Sequence, residues 1–161
     1  MAGLSRRMRV NMLKWLGSQS PATPNTIIYV GFSTASPGDD AAGIAEPTIS
    51  TGGYTRAQMG AGGGQQIAWT TVATPAAGAA AKLVNNASVT WGGTTQGSAS
   101  SAAWSTGTTP LAYLFYSESS TSTAEANFVA FGAVSTPPQV NAAGVTLTAA
   151  ASALEINIDD T

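Results

Sequence analysis

From residue 26 onward the chain repeats one pattern: a short apolar or alternating run, then a cluster of turn-forming residues. The runs are "TIIYVGF" (26–32), "YTRAQM" (54–59), "QIAWTTVAT" (66–74), "AKLVNNASVTW" (81–91), "PLAYLFYSE" (110–118), "NFVAFGAV" (127–134) and "VTLTAAASALEINID" (145–159). Between them stand Pro37-Gly38, Gly52-Gly53, Gly62-Gly63-Gly64, Gly92-Gly93 and Pro137-Pro138. In the last run Leu154, Ile156 and Ile158 alternate with Glu155, Asn157 and Asp159, which puts the apolar side chains on one face of an extended chain. About seven such runs, rich in β-branched and aromatic residues, predict a mainly β fold: an antiparallel β-sandwich, jelly-roll-like. The Ala-rich part of 73–84 fits a strand least well, although Pro75 and Gly78 also oppose a helix there.

Only the N-terminus has another texture. In "LSRRMRVNMLKWL" (4–16), Leu4, Met8, Met12, Trp15 and Leu16 recur at steps of three and four, as on one face of an amphipathic α-helix. Ser5 is the expected N-cap and Gly17 the expected stop. The apolar face, with Arg6 and Arg9 beside it, is the candidate contact with another copy or another protein, or it packs on its own domain. The organisation expected is therefore a helix (1–17), a Pro/Ser/Asn linker (18–25) and a β domain (26–161). The apolar stretch at the N-terminus is interrupted by Asn11 and Lys14, so a cleaved targeting peptide is not expected.

The residue inventory excludes much chemistry. There is no cysteine and no histidine, so disulfides, thiol nucleophiles, imidazole bases and the usual zinc sites are all outside reach. Asp39-Asp40 and Asp159-Asp160 are sequence neighbours, whose side chains point apart on an extended chain, so neither pair converges for acid–base work. No phosphate-binding or calcium-binding loop pattern occurs, and no cofactor or metal is expected. Charged residues are 9% of the chain, so its surface is built from small polar residues, which suits a subunit packed into an assembly. Arg6, Arg7, Arg9 and Lys14 form a basic head, and only Arg56 and Lys82 follow. A nucleic-acid footprint would need a basic face on the body itself, so no nucleic acid is expected. A short helix with one Trp makes a weak membrane anchor, and no run reaches the roughly 18 apolar residues of a span.

Two features invite a site. "STGGYTRAQM" (50–59) holds the single arginine after Arg9, behind two glycines and beside Tyr54. With no convergent chemistry near it, Arg56 is expected to be structural: paired with a carboxylate or with loop carbonyls, pinning the long 33–53 loop to the sheet, with Tyr54 beside it in a strand that starts there. The four tryptophans, Trp15, Trp69, Trp91 and Trp104, could stack on sugars, but in a chain of small residues core or subunit contact is the stronger expectation, Trp91 being structural.

The order of the motifs carries a resemblance. "MLKWLG", a Pro-containing linker, "TIIYVGFSTASPGDDAAGIAEP", "STGGYTRAQM", "NNASVTW", "LAYLFYSE" and "NFVAFGAVSTPPQVNAAGVTLTAAASALEINI" follow one another as in a family of small tailed-bacteriophage virion proteins, described as tail-fibre-like or head-fibre-like. The resemblance spans nearly the whole chain. The chain departs from that pattern at "SESSTSTAEAN" (117–127), where the family has a short turn. The resemblance implies a non-enzymatic structural protein of the virion, assembled in the bacterial host cytoplasm and partnered by itself (a ring or trimer) and by other virion proteins. The alternative it leaves open is a module at a fibre tip that binds a host surface glycan or receptor.

Overall fold

In a computed structural model, the described residues are 3–21, 27–49, 51–59, 81–86, 88–91, 100, 103–104 and 109–158. They form a mainly antiparallel β protein with one α-helix. The elements are β1 (Gly3–Leu4), α1 (Arg6–Leu16), β2 (Ile28–Ser33), β3 (Ala57–Met59), β4 (Ala81–Val84), β5 (Val89–Trp91), β6 (Tyr113–Ser117), β7 (Phe128–Ala133), β8 (Leu147–Ala149) and β9 (Glu155–Ile158). A five-stranded sheet runs in the order β1-β7-β6-β2-β3, and β4-β9 and β5-β8 form two separate ladders. All the pairings are antiparallel.

The central strands β2, β6 and β7 come from the most aromatic runs, and their side chains divide between two apolar layers. Val30, Phe32, Tyr116 and Ala130 join a large cluster with Trp91, Trp104, Leu111 and Val140, while Phe115, Phe128 and Phe131 form a smaller one with Ala41. Strict alternation would put Phe128 and Phe131 on opposite faces. A register shift between Tyr116 and Ser117 lets Phe128 pair opposite Ser117 while Ala130 pairs opposite Tyr116. The extra residue brings both rings to one side, stacked at 6.0 Å. Gly31 is needed where it stands, because a Cβ there would meet the Phe115 ring at 2.5 Å and Glu46 Oε1 at 2.9 Å.

Several expected boundaries move. Leu4 is not part of the helix: it lies in β1, paired with Ala130 at the sheet edge. Ser5 is the N-cap, accepting from the Met8 amide. The stop stays where it was expected: Gly17 is the C-cap after Leu16, and the left-handed residue follows at Ser18 (φ 54°), with Ser18 N–H on Trp15 O and Gln19 N–H on Lys14 O. Residues 54–56 precede β3 instead of opening it. The 81–91 run divides at Asn85, whose Oδ1 accepts from the Leu154 amide and whose Nδ2 donates to Ala150 O. The 145–159 run divides likewise into β8 and β9. The expected strand at 66–74, the Ala-rich stretch at 73–80, Trp69 and Asp159-Asp160 lie outside the described residues. Among the described residues no helix is long and apolar enough to cross a membrane.

Candidate functional site

Tyr54 and Arg56 are placed by the chain just before β3. Gly52 and Gly53, both at positive φ (60° and 76°), turn the backbone, and Trp104 Nε1 donates to the Gly52 carbonyl at 2.8 Å. The turn drives both side chains inward. The Arg56 side chain is completely buried, and it meets Glu46 through two parallel bonds, Nε to Oε1 at 2.8 Å and Nη2 to Oε2 at 2.6 Å. Its remaining donors go to the carbonyls of Ser119 (2.5 Å), Ser122 (3.0 Å) and Thr121 (3.4 Å). The guanidinium lies 4.9 Å from the centre of the Phe115 ring. The Tyr54 hydroxyl donates to Glu46 Oε1 at 2.8 Å and accepts from the Phe32 amide at 2.9 Å. Burial first, and then the Glu46 charge, push the Tyr54 hydroxyl well above the usual tyrosine range.

The 117–127 loop thus supplies the carbonyls that hold Arg56. Its two acids turn to the helix instead. Glu118 pairs with Arg7 at 2.7 Å, and Glu125 takes Arg6 through both carboxylate oxygens at 2.8 and 2.7 Å. Arg9 pairs with Asp39, whose carbonyl accepts the Arg6 amide. Each of the chain's four arginines is therefore ion-paired with an acid of the body. Arg6 and Arg9, candidates for partner contact, each keep more than half of their side chain exposed while making these pairs. The Glu125 partner raises the Arg6 pKa further. Ser5 completes the root of the helix: it is fully buried, its hydroxyl donates to Phe128 O at 2.8 Å, and its amide donates to Val129 O at 2.9 Å, beside the irregularity in β7.

The apolar residues expected on the helix face divide along the chain. Leu4, in β1, and Met8, in α1, pack against the large core cluster. Beyond them Val10, Met12, Leu13, Trp15 and Leu16 stand in solvent, with Trp15 71% and Leu16 70% exposed. Val10 and Leu13 lie outside the face expected from the spacing of three and four, and their exposure becomes visible only once the helix is placed on the sheet. Trp91 and Trp104 are buried, and Trp91 Nε1 donates to Val30 O at 3.3 Å while its ring meets Phe32 edge-on at 4.9 Å. Neither of these two rings stands out from the surface.

A second feature lies beyond the C-terminal end of β7. A groove of about 290 Å³ has Phe32, Trp91, Leu114, Leu147 and Leu154 among its walls, and Val134, Ser135, Thr136 and Thr148 also line it. None of the described residues that line it is charged. The sequence contains its walls only as core positions of separate strands. Among the described residues no cluster of three or more acids, histidines or cysteines could hold a metal ion. Neither a family model nor a curated protein matches the chain.

Proposed function

We propose that the chain is a non-enzymatic structural subunit of a bacteriophage particle, attached to the head, neck or tail as a fibre, adaptor or decoration protein. The observation that carries this reading is the outer half of α1. Five large apolar side chains are held in solvent by a helix whose root is locked to the sheet through Ser5, Arg6, Arg7 and Arg9. A rigidly rooted apolar helix end is an attachment device, because exposed apolar surface of this kind marks a contact. The order of motifs in the sequence supplies the phage particle as the setting, and the low charge content suits a packed subunit. The body is read as a β-sandwich of jelly-roll-like kind. In support, Trp91 on the β5-β8 ladder bonds the Val30 carbonyl and packs on Phe32 of the five-stranded sheet, the kind of contact that two facing sheets make.

Leu13, Trp15 and Leu16 are exposed, so replacing all three by Ser leaves the body intact. In particles raised in the host, the wild-type chain is expected to co-sediment with the virion and the triple variant to stay in the supernatant. Equal incorporation of the two would remove the helix from the attachment.

A further inference from the structure

We propose that α1 is an electrostatic latch: a helix that forms only while three acids of the body hold its first turn, so that breaking those ion pairs melts it. Three observations lead to it. The first is where the helix keeps its charges. Arg6, Arg7 and Arg9 crowd the first turn, and no acid stands there. The N-terminal end of a helix is the positive end of its dipole, so cations there oppose helix formation. The helix has no acid of its own to offset them, because Asp39 is the first acid of the chain. The counter-charge comes from two loops of the body: Glu125 takes Arg6 at 2.7 Å, Glu118 takes Arg7 at 2.7 Å, and Asp39 takes Arg9. The Glu125 hydrogen bond and charge, and after them Asp39 and Asp40, favour the charged form of Arg6.

The second is how the first turn is built. An isolated helix of fewer than about 12 residues is marginal in water, since fixing its first turn gains too few bonds. The helix α1 has 11 residues. Here the body supplies the nucleus. Asp39 O accepts the Arg6 amide at 2.8 Å, and Val129 O accepts the Ser5 amide at 2.9 Å. The Ser5 hydroxyl, held by Phe128 O, accepts the Met8 amide at 3.2 Å. Beyond this root little holds the helix, because none of its residues is buried. The third is an incomplete set of bonds at the root. Arg7 Nη1 is buried without a hydrogen-bond partner, in an ion pair whose side chains are only 17% and 12% exposed. A pair of this kind fixes position more than it stabilises, which is what a latch requires. Val10, Met12, Leu13, Trp15 and Leu16 extend from this root, so opening it would scatter the exposed apolar surface.

Amide hydrogen exchange of the full chain, read by mass spectrometry, tests the latch. Rates in α1 are compared with those in β2, β6 and β7 of the same sample. Raising sodium chloride from about 0.01 M to about 1 M shortens the reach of exposed charges from about 30 Å to about 3 Å. Exchange in α1 is expected to quicken about tenfold relative to the strands over that range. The triple variant Asp39→Asn, Glu118→Gln, Glu125→Gln is expected to exchange fast in α1 at both salt concentrations, with the strands as protected as in wild type. Where that variant does not fold, Glu125→Gln alone, at an exposed pair, is expected to speed α1 exchange about threefold. An α1 that ignores either the salt or the substitutions would overturn the proposal, as would an α1 that in wild type exchanges only together with the strands. The measurement uses the free chain, so the latch can fail while the virion reading stands, and the reverse.

Discussion

Arg56 shows how one residue can organise a loop-rich protein. Its guanidinium is desolvated, so its value lies in being fully satisfied: two bonds to Glu46, three carbonyls and an aromatic ring. Removing it would strand the Glu46 carboxylate in the interior, and Arg56→Ala is expected to lower unfolding stability by about 3–5 kcal/mol. Arg56→Lys should recover only part of this, because an ammonium cannot make the paired contact. Urea denaturation of the three proteins measures both effects. The buried tyrosines add a pH signature. The Tyr54 hydroxyl is pushed well up by burial and by Glu46, and that of Tyr116 to about 12 by burial. Both folded values lie above the unfolded value, so their contribution is intact below about pH 10 and is lost as pH rises from there toward 12. Unfolding midpoints should therefore fall across that window, and less steeply in Tyr54→Phe.

At the scale of elements, α1 is a lever fixed at one end. Ser5 serves the cap and the sheet with one hydroxyl, accepting from the Met8 amide and donating to Phe128 O. At the far end Ser18 holds a left-handed conformation that glycine adopts more easily. Ser18→Gly is expected to stabilise the helix by up to about 1 kcal/mol, seen as greater amide protection in its last turn. The strands that were legible in the sequence are those with continuous apolar runs, "IYVGFS", "YLFYS" and "FVAFGA". Leu4 was misplaced because a four-residue step to Met8 fits a helix as well as it fits chance. The break at Asn85 was invisible because its cause is remote: a side chain that clamps the 150–154 turn. The role of Arg56 could be read from its isolation and from the two glycines, but nothing local distinguished Glu46 from the other seven acids. The groove could not be read at all, since its walls come from strands far apart in the chain.

At the scale of the molecule, all four arginines are committed to ion pairs within the chain. Arginines and acids are spent inside the chain, tying the helix root, the 33–53 loop and the 118–127 loop to one another. Among the described residues the large exposed apolar side chains gather at the helix end. That is the economy of a building block, and our account of the protein as a structural subunit of a virion rests on it together with the order of its sequence motifs. The most direct test is to purify the phage particles through a density gradient and measure this chain by quantitative mass spectrometry against the major shell protein. The account predicts a constant ratio of the two across the particle band, retained after washing in high salt. A chain found only in the soluble fraction, with none in the band, would contradict it.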